Sequence, residues 1–220
     1  MNGARLYDLV MRLPLAALML YNALFVSRDI YVHLFEWRGP TGLTYGTTVA
    51  ALLATEAYLL LVATLTLVRL RPLRKLGGIV PRITALAAGL LPGSLAWLPR
   101  VEPTPARQMA GTLLMAAGLT LSLVCLGWLG KSFSVMPEAR RLVTGGPYQL
   151  VRHPLYLAGT IQAAALVVLY PSLAALLLFT VELILQIMRM RYEERVLRDT
   201  FPEYDEYARR TTARLVPGVY

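Results

Sequence analysis

Charge is scarce in this chain. Of its 220 residues only 16% are Asp, Glu, Lys or Arg, where an ordinary soluble domain has about a quarter. Cysteine is nearly absent: Cys125 stands alone in the middle of an apolar stretch. That excludes an intrachain disulfide and a cysteine metal site, and Cys125 reads as a small buried hydrophobe. No Gly-x-Gly-x-x-Gly follows a strand, so a soluble dinucleotide-type site is not available. There is no internal repeat and no low-complexity segment. There are only two histidines.

Apolar residues are abundant: 56% are hydrophobic, and the mean hydropathy is +0.53. A bilayer-spanning helix needs roughly 20 mostly apolar residues. Six stretches qualify: Leu9–Ser27, Leu43–Val68, Ile83–Pro99, Met109–Gly130, Pro154–Tyr170 and Pro171–Met188. The last two abut at Tyr170-Pro171, where proline removes an amide donor and restricts its predecessor. A tight helical hairpin is expected there, since one helix through both would overshoot a core of about 30 Å. Asp8 and Arg12 interrupt the first stretch, and no small-x-small cleavage site follows, so it is read as a retained span. The expected fold is all-α and polytopic, with about six transmembrane helices, a C-terminal hairpin and an interfacial tail helix. In the tail, Thr200 with Glu203 three residues later, and Pro202 between them, predict a capped helix from about Phe201.

The net charge of +9 is unevenly placed. Loop 69–82 carries Arg69, Arg71, Arg74, Lys75 and Arg82 without an acid, segment 131–153 carries Lys131, Arg140, Arg141 and Arg152, and seven arginines follow Met188. Loops 28–42 and 99–108 carry two arginines each. Positive-inside reasoning puts the rich segments in the cytoplasm, and six spans with both termini inside satisfy it without conflict. The arginines flank membrane stretches, so anionic lipid headgroups explain them better than nucleic acid does. Glu56 and Glu182 are the deep acidic groups of the spans, too few for an ion pathway. Glu182 is expected to face the bundle interior.

If the hairpin forms, its two cytoplasmic ends meet. One carries "GPYQLVRHPLY" (146–156) and the other "RMRYEERVL" (189–197). Gly145-Gly146-Pro147 signals a turn, and Pro154 suits a helix start, leaving His153 near the N-cap. His153 and Tyr156 share a helix face. Arg152, His153 and Tyr156 then lie within reach of Arg191, Glu193 and Glu194. The two glutamates point about 100° apart on a helix, so at most one faces a given ligand atom.

"LVTGGPYQLVRHPLY", then "RYEERVL", then "FPEYDEYARRTTARLVP" resemble, in that order, the integral-membrane methyltransferases typified by isoprenylcysteine carboxyl methyltransferase, with the phospholipid methyltransferases as a related branch. The resemblance covers about residues 130–217. It implies two parts, N-terminal transmembrane helices over 1–130 and a methyltransferase core over 131–220. It also implies S-adenosylmethionine as cofactor and no metal. His153, Pro154, Tyr156, Glu193 and Glu194 would shape the cofactor pocket, Leu142 and Tyr148 would close over it, and Arg152 and Arg191 would orient the methyl acceptor. Arg140 stands where many members have histidine, Pro202 where many have glycine, and Gly159 one residue beyond the usual glycine after the histidine motif. A lipophilic acceptor entering from the bilayer is expected, with an isoprenylcysteine-type carboxylate favoured over a phospholipid amine or small thiol. The expected location is a bacterial inner membrane with the site on the cytoplasmic side. The rival readings are a sterol-type reductase using NADPH and a non-catalytic membrane scaffold.

Overall fold

The computed structural model describes residues 12–39, 41–94 and 102–218. They form helices α1 (Leu13–Tyr31, continued by a wider turn over Val32–Glu36), α2 (Leu43–Val68), α3 (Ile79–Ser94), α4 (Pro105–Leu129), α5 (Pro154–Leu169), α6 (Leu173–Arg198) and α7 (Tyr204–Arg210). The described strands are two short ones, β1 (Arg74–Lys75) and β2 (Glu138–Ala139), paired antiparallel with Arg74 opposite Ala139 and Lys75 opposite Glu138.

Four helices are long and apolar enough to cross a bilayer, those starting at Leu13, Leu43, Pro105 and Leu173. Of the six expected spans, four are found as helices of that length among the described residues. Helix α5 has 16 residues, about 24 Å at 1.5 Å per residue, which is short of the ~30 Å core. Helix α3 is described over 16 residues, Ile79–Ser94. Residues 9–11 of the first expected span and 95–99 of the third lie outside the described residues. By helix length and composition the chain is an integral membrane protein.

The hairpin is present. Helix α5 ends at Leu169 and α6 begins at Leu173, with the Ser172 hydroxyl accepting from the Ala175 amide at 3.0 Å. In lipid, apolar side chains gain little by leaving the solvent, and close helix packing depends on small residues. Helices α4 and α5 show this. A Cβ on Gly118 would fall 2.7 Å from Gln162 Cγ and 3.0 Å from the Ala158 carbonyl oxygen, and one on Gly111 would fall 2.4 Å from Leu169 Cγ.

Hydrogen bonds fix which helix ends share a face. Arg12 Nη1 donates to the Leu67 carbonyl at 2.7 Å, tying the start of α1 to the end of α2. The Leu70 amide donates to the Lys131 carbonyl at 2.7 Å and the Leu73 amide to the Ala139 carbonyl at 2.8 Å. Arg74 Nη1 reaches the Asp199 carbonyl at 2.8 Å, and the Arg152 and His153 amides reach the Ala213 and Arg214 carbonyls at 3.0 and 2.9 Å. The three arginine-rich segments thus gather at one end of the bundle. At the other end Tyr45 donates to the His33 carbonyl at 2.7 Å.

The tail departs from expectation in one respect. The Thr200 hydroxyl donates back to the Val196 carbonyl at 2.6 Å instead of capping a new helix. Helix α7 starts at Tyr204, after a Glu203 that makes no side-chain cap. Thr200 still belongs to the last turn of α6 in its bonding, so its hydroxyl is committed before the chain turns.

Candidate active site

A cavity of about 510 Å³ opens between the helices at the arginine-rich end and runs into the bundle. Pockets that hold small molecules are of about 300–1,000 Å³. Its polar end is walled by Arg140, Leu142, Tyr148, His153, Tyr156 and Glu193, and its far end by apolar residues of α1, α3, α4 and α5.

The turn before α5 sets the first wall. Gly146 has φ +58°, a conformation that suits glycine, and a Cβ there would fall 2.3 Å from the Trp128 ring. The indole and the glycines therefore lock together. The turn over Gly146–Gln149 then buries Tyr148. The Tyr148 carbonyl accepts from the Tyr207 hydroxyl at 2.7 Å, while its own hydroxyl is buried and finds no hydrogen-bond partner among the described residues. Burial pushes the phenols of Tyr148, Tyr204 and Tyr207 up, the last to about 12, so all three stay neutral donors.

His153 occupies the N-cap position of α5, and its side chain makes no cap bond. Its carbonyl takes the Tyr156 and Leu157 amides at 3.1 and 3.2 Å. The imidazole is left free to turn to α6, where Nε2 lies 3.3 Å from Glu194 Oε1 and Nδ1 lies 3.8 Å from Glu193 Oε2. Its ring meets that of Tyr156 edge-on at 5.4 Å. Pro154 is buried beneath and does not line the cavity.

The two glutamates divide. Glu193 lines the cavity, with a quarter of its side chain exposed (25%). Glu194 turns to the tail and is buried. It accepts from Arg152 Nε at 2.9 Å, from His153, and from Arg214 Nε and Nη2 at 3.1 Å each. Arg152 Nη1 also donates to the Ala208, Thr211 and Thr212 carbonyls at 3.2, 2.9 and 3.1 Å. These are carbonyls at and just beyond the end of α7, where a cation is favoured. Arg152, expected to orient the acceptor, reaches the cavity wall with its Nε on Glu194 of α6 and its Nη1 on the tail.

Arg191, the other arginine expected to orient the acceptor, is placed differently. It is exposed and absent from the cavity wall. Arg189, two residues earlier and so about 200° away around the helix, lines the cavity instead. Its guanidinium sits 5.0 Å from the centre of the Tyr156 ring, a cation–π distance, and its Nη2 donates to the Val135 carbonyl at 3.0 Å. Arg189 was missed in the sequence because "RMR" offers two arginines, and only the position of Glu193 tells which shares its face: four residues apart, 189 and 193 do. Glu182, Gln186, Arg189 and Glu193 all line the cavity, at spacings of four, three and four along α6. Arg140, which donates to Glu138 and to the Leu70 carbonyl, also reaches the wall. Arg214 was missed because it lies 20 residues beyond its partner.

The arrangement puts a carboxylate, guanidinium groups, a neutral phenol and an apolar arm around one cavity at a membrane helix end. Residues 106–204 match the phospholipid methyltransferase family. The match runs from α4 to the first residue of α7 and overlaps the resemblance read from the sequence. The match supports a membrane methyltransferase in general. Two curated bacterial relatives are also similar. One is the cobalt-zinc-cadmium resistance protein CzcN of Cupriavidus metallidurans, 33% identical over 133 residues, covering 60% of this chain and 58% of that protein. Another is the nickel-cobalt-cadmium resistance protein NccN of Alcaligenes xylosoxydans xylosoxydans, 37% identical over 114 residues, covering 48% and 53%. The chain spans about half the length of the curated relatives it matches.

Proposed function

We propose that this protein is an integral-membrane methyltransferase that takes its methyl group from S-adenosylmethionine and gives it to a lipophilic acceptor reaching the cavity from the bilayer. The observation that carries the reading is Glu193, a partly open carboxylate, in one cavity with Arg189, Arg140 and the unpartnered Tyr148 hydroxyl.

These residues fit the cofactor. Its zwitterionic amino acid end needs an anion and a cation together, its ribose needs a carboxylate, and its ring needs apolar or aromatic walls. Glu193 would accept from the hydroxyls or the ammonium, Arg189 or Arg140 would take the carboxylate, and Leu142, Tyr148 and Tyr156 would wall the ring. When bound, the cofactor supplies an electrophilic methyl on a sulfonium. The chain's part is positioning. The Arg152–Glu194–Arg214 clasp fixes the tail against α5 and keeps His153 facing Glu193. The Trp128–Gly146 contact holds Tyr148 in place. A cavity set between the helices aligns the partners and limits their contact with water. An acceptor carboxylate needs only a cation to hold it, which Arg189 offers. We take the arginine-rich end to be cytoplasmic, in a bacterial inner membrane.

The reading follows the family match, and the metal-resistance names stay with the relatives. The test is binding of labelled S-adenosylmethionine and of NADPH to the purified protein. Saturable binding of the first and not the second is expected. The reverse would favour the sterol-type reductase.

A further inference from the structure

The groups assigned to the cofactor stand at the polar end of the cavity, yet its deep end is not uniformly apolar. Glu182 stands near the middle of α6 and is only 3% exposed. It lies eleven residues, about 16 Å along the helix axis, from Glu193. An ionisable residue at this depth is costly to keep and marks a ligand path more often than a packing site.

Its bonding has a direction. The Thr160 hydroxyl shares its proton between Gln186 Oε1 at 3.1 Å and the Tyr156 carbonyl at 3.0 Å, and Gln186 Nε2 donates to Glu182 Oε1 at 2.7 Å. The relay runs from α5 to α6 and ends on a carboxyl whose other oxygen, Oε2, is buried without a hydrogen-bond partner among the described residues. Across the cavity, Gln162 Nε2 donates to Ser122 Oγ at 2.8 Å, so that donor is also turned away. Glu182, Gln186 and Gln162 all line the cavity, and the apolar wall around them includes Leu18, Met115 and Leu166. Gln162 spends its amide on Ser122 and the Ala158 carbonyl, and Glu182 Oε2 is left without a partner among the described residues in the cavity wall.

We propose that Glu182, held by Gln186 and Thr160, is a second subsite that takes a hydrogen-bond donor carried on the acceptor's apolar chain. The proposal rests on reading the cavity as the place where the acceptor lies, and it deepens that reading. The ligand class is an amphiphile with a hydroxyl or similar donor within the hydrocarbon region. A plain isoprenyl or alkyl chain fills the same wall but leaves Oε2 dry and unpaired. Sites that bury a hydrogen-bonding group discriminate strongly against ligands that lack the partner.

The test uses the purified full-length protein, immobilised in detergent, with two labelled probes of equal chain, 1-dodecanol and dodecyl methyl ether. The alcohol donates and the ether does not. The wild type is expected to retain the alcohol at least tenfold better, about the worth of one buried hydrogen bond. Glu182→Gln keeps the shape but replaces the free acceptor oxygen, and should bring the preference to within about twofold of equality. Glu56→Gln changes the other deep acid, which does not line the cavity, and should leave the preference unchanged. A melting curve of each variant separates misfolding from loss of the subsite. If Glu182→Gln does not fold, Thr160→Val, which removes the donor that holds Gln186, is read instead and should reduce the preference. Equal retention of the two probes by the wild type overturns the proposal, as does binding of neither or a preference untouched by Glu182→Gln. S-adenosylmethionine binding to the wild type is measured beside it. If the cofactor binds and the probes are not discriminated, only the subsite falls. If the probes are discriminated and the cofactor does not bind, the methyltransferase reading falls and the subsite stands.

Discussion

Arg152 and Glu194, 42 residues apart in the chain, face each other at 2.9 Å across the junction of α5, α6 and the tail, both almost out of solvent. They are the centre of a clasp. Glu194 also receives Arg214, and Arg152 also receives three carbonyls of the tail. Without Arg152 the buried Glu194 keeps Arg214 and His153 but loses one charge-assisted bond, and three tail carbonyls lose their donor; a hydrogen bond to a charged group is worth about 1.5–3 kcal/mol. Arg152→Ala should therefore lower the melting temperature in detergent and speed tryptic cleavage at Arg209 and Arg210. Unchanged melting and cleavage would show that the clasp does not hold the tail.

Neighbouring glutamates should behave differently. Glu193→Gln removes a charge from the cavity wall and disturbs no clasp. It should weaken S-adenosylmethionine binding by about tenfold or more, the worth of a charge-assisted hydrogen bond, and leave the melting temperature of the free protein near that of the wild type. Glu194→Gln should lower the melting temperature first. Calorimetry and a thermal melt on the same two proteins check the division.

The arginines of "RMR" give a second pair. Arg189→Ala loses the contact with the Tyr156 ring and the bond to Val135 and should reduce methyl transfer at least tenfold. Arg191→Ala alters an exposed side chain and should stay within about 0.5 kcal/mol of wild-type stability, with activity retained. Loss of activity in the Arg191 variant alone would restore that residue to the site.

The ordering of the hairpin, its break at Tyr170-Pro171 and the polar cluster at its ends were legible in the sequence because proline and charge placement act locally. The span count was legible only in part. Hydropathy reports that α5 is apolar, but where it begins is set by Pro154, and that leaves 16 residues. The parity of helix ends was legible from arginine placement, and the bonds Arg12–Leu67 and Leu70–Lys131 agree with it. Which glutamate and which arginine face the cavity was not legible. A helix offers several faces, and the choice is made by what packs on it. Here Arg214 and the tail claim the Glu194 face, and that contact has no signature in the motif.

Packing between α4 and α5 sets the cavity's width. A Cβ on Gly118 meets the Ala158 carbonyl at 3.0 Å, and that backbone has no rotamer by which to give way. Gly118→Ala should destabilise by about 1–3 kcal/mol, read as a lower melting temperature. Gly127→Ala, where nothing lies within 4 Å, should not.

Alkaline pH tests the burial of the tyrosines. The Tyr207 phenol is held up at about 12 by burial, above its unfolded value near 10. Its contribution to stability is complete below pH 10 and is lost as pH rises through about 12. Tyr207→Phe should remove one proton's share of that slope and leave the shares of Tyr148 and Tyr204, whose phenols burial also pushes up. An unchanged slope above pH 10 would show that the Tyr207 phenol does not contribute to it.

The most direct measurement is methyl transfer itself. Membranes carrying the wild-type protein or Glu193→Gln are incubated with methyl-labelled S-adenosylmethionine, and label is followed into lipid extract, protein and volatile product. The account predicts label in a lipid-soluble product with the wild type and a loss of at least tenfold with Glu193→Gln. No transfer above membranes lacking the protein, or full transfer by the variant, would contradict it.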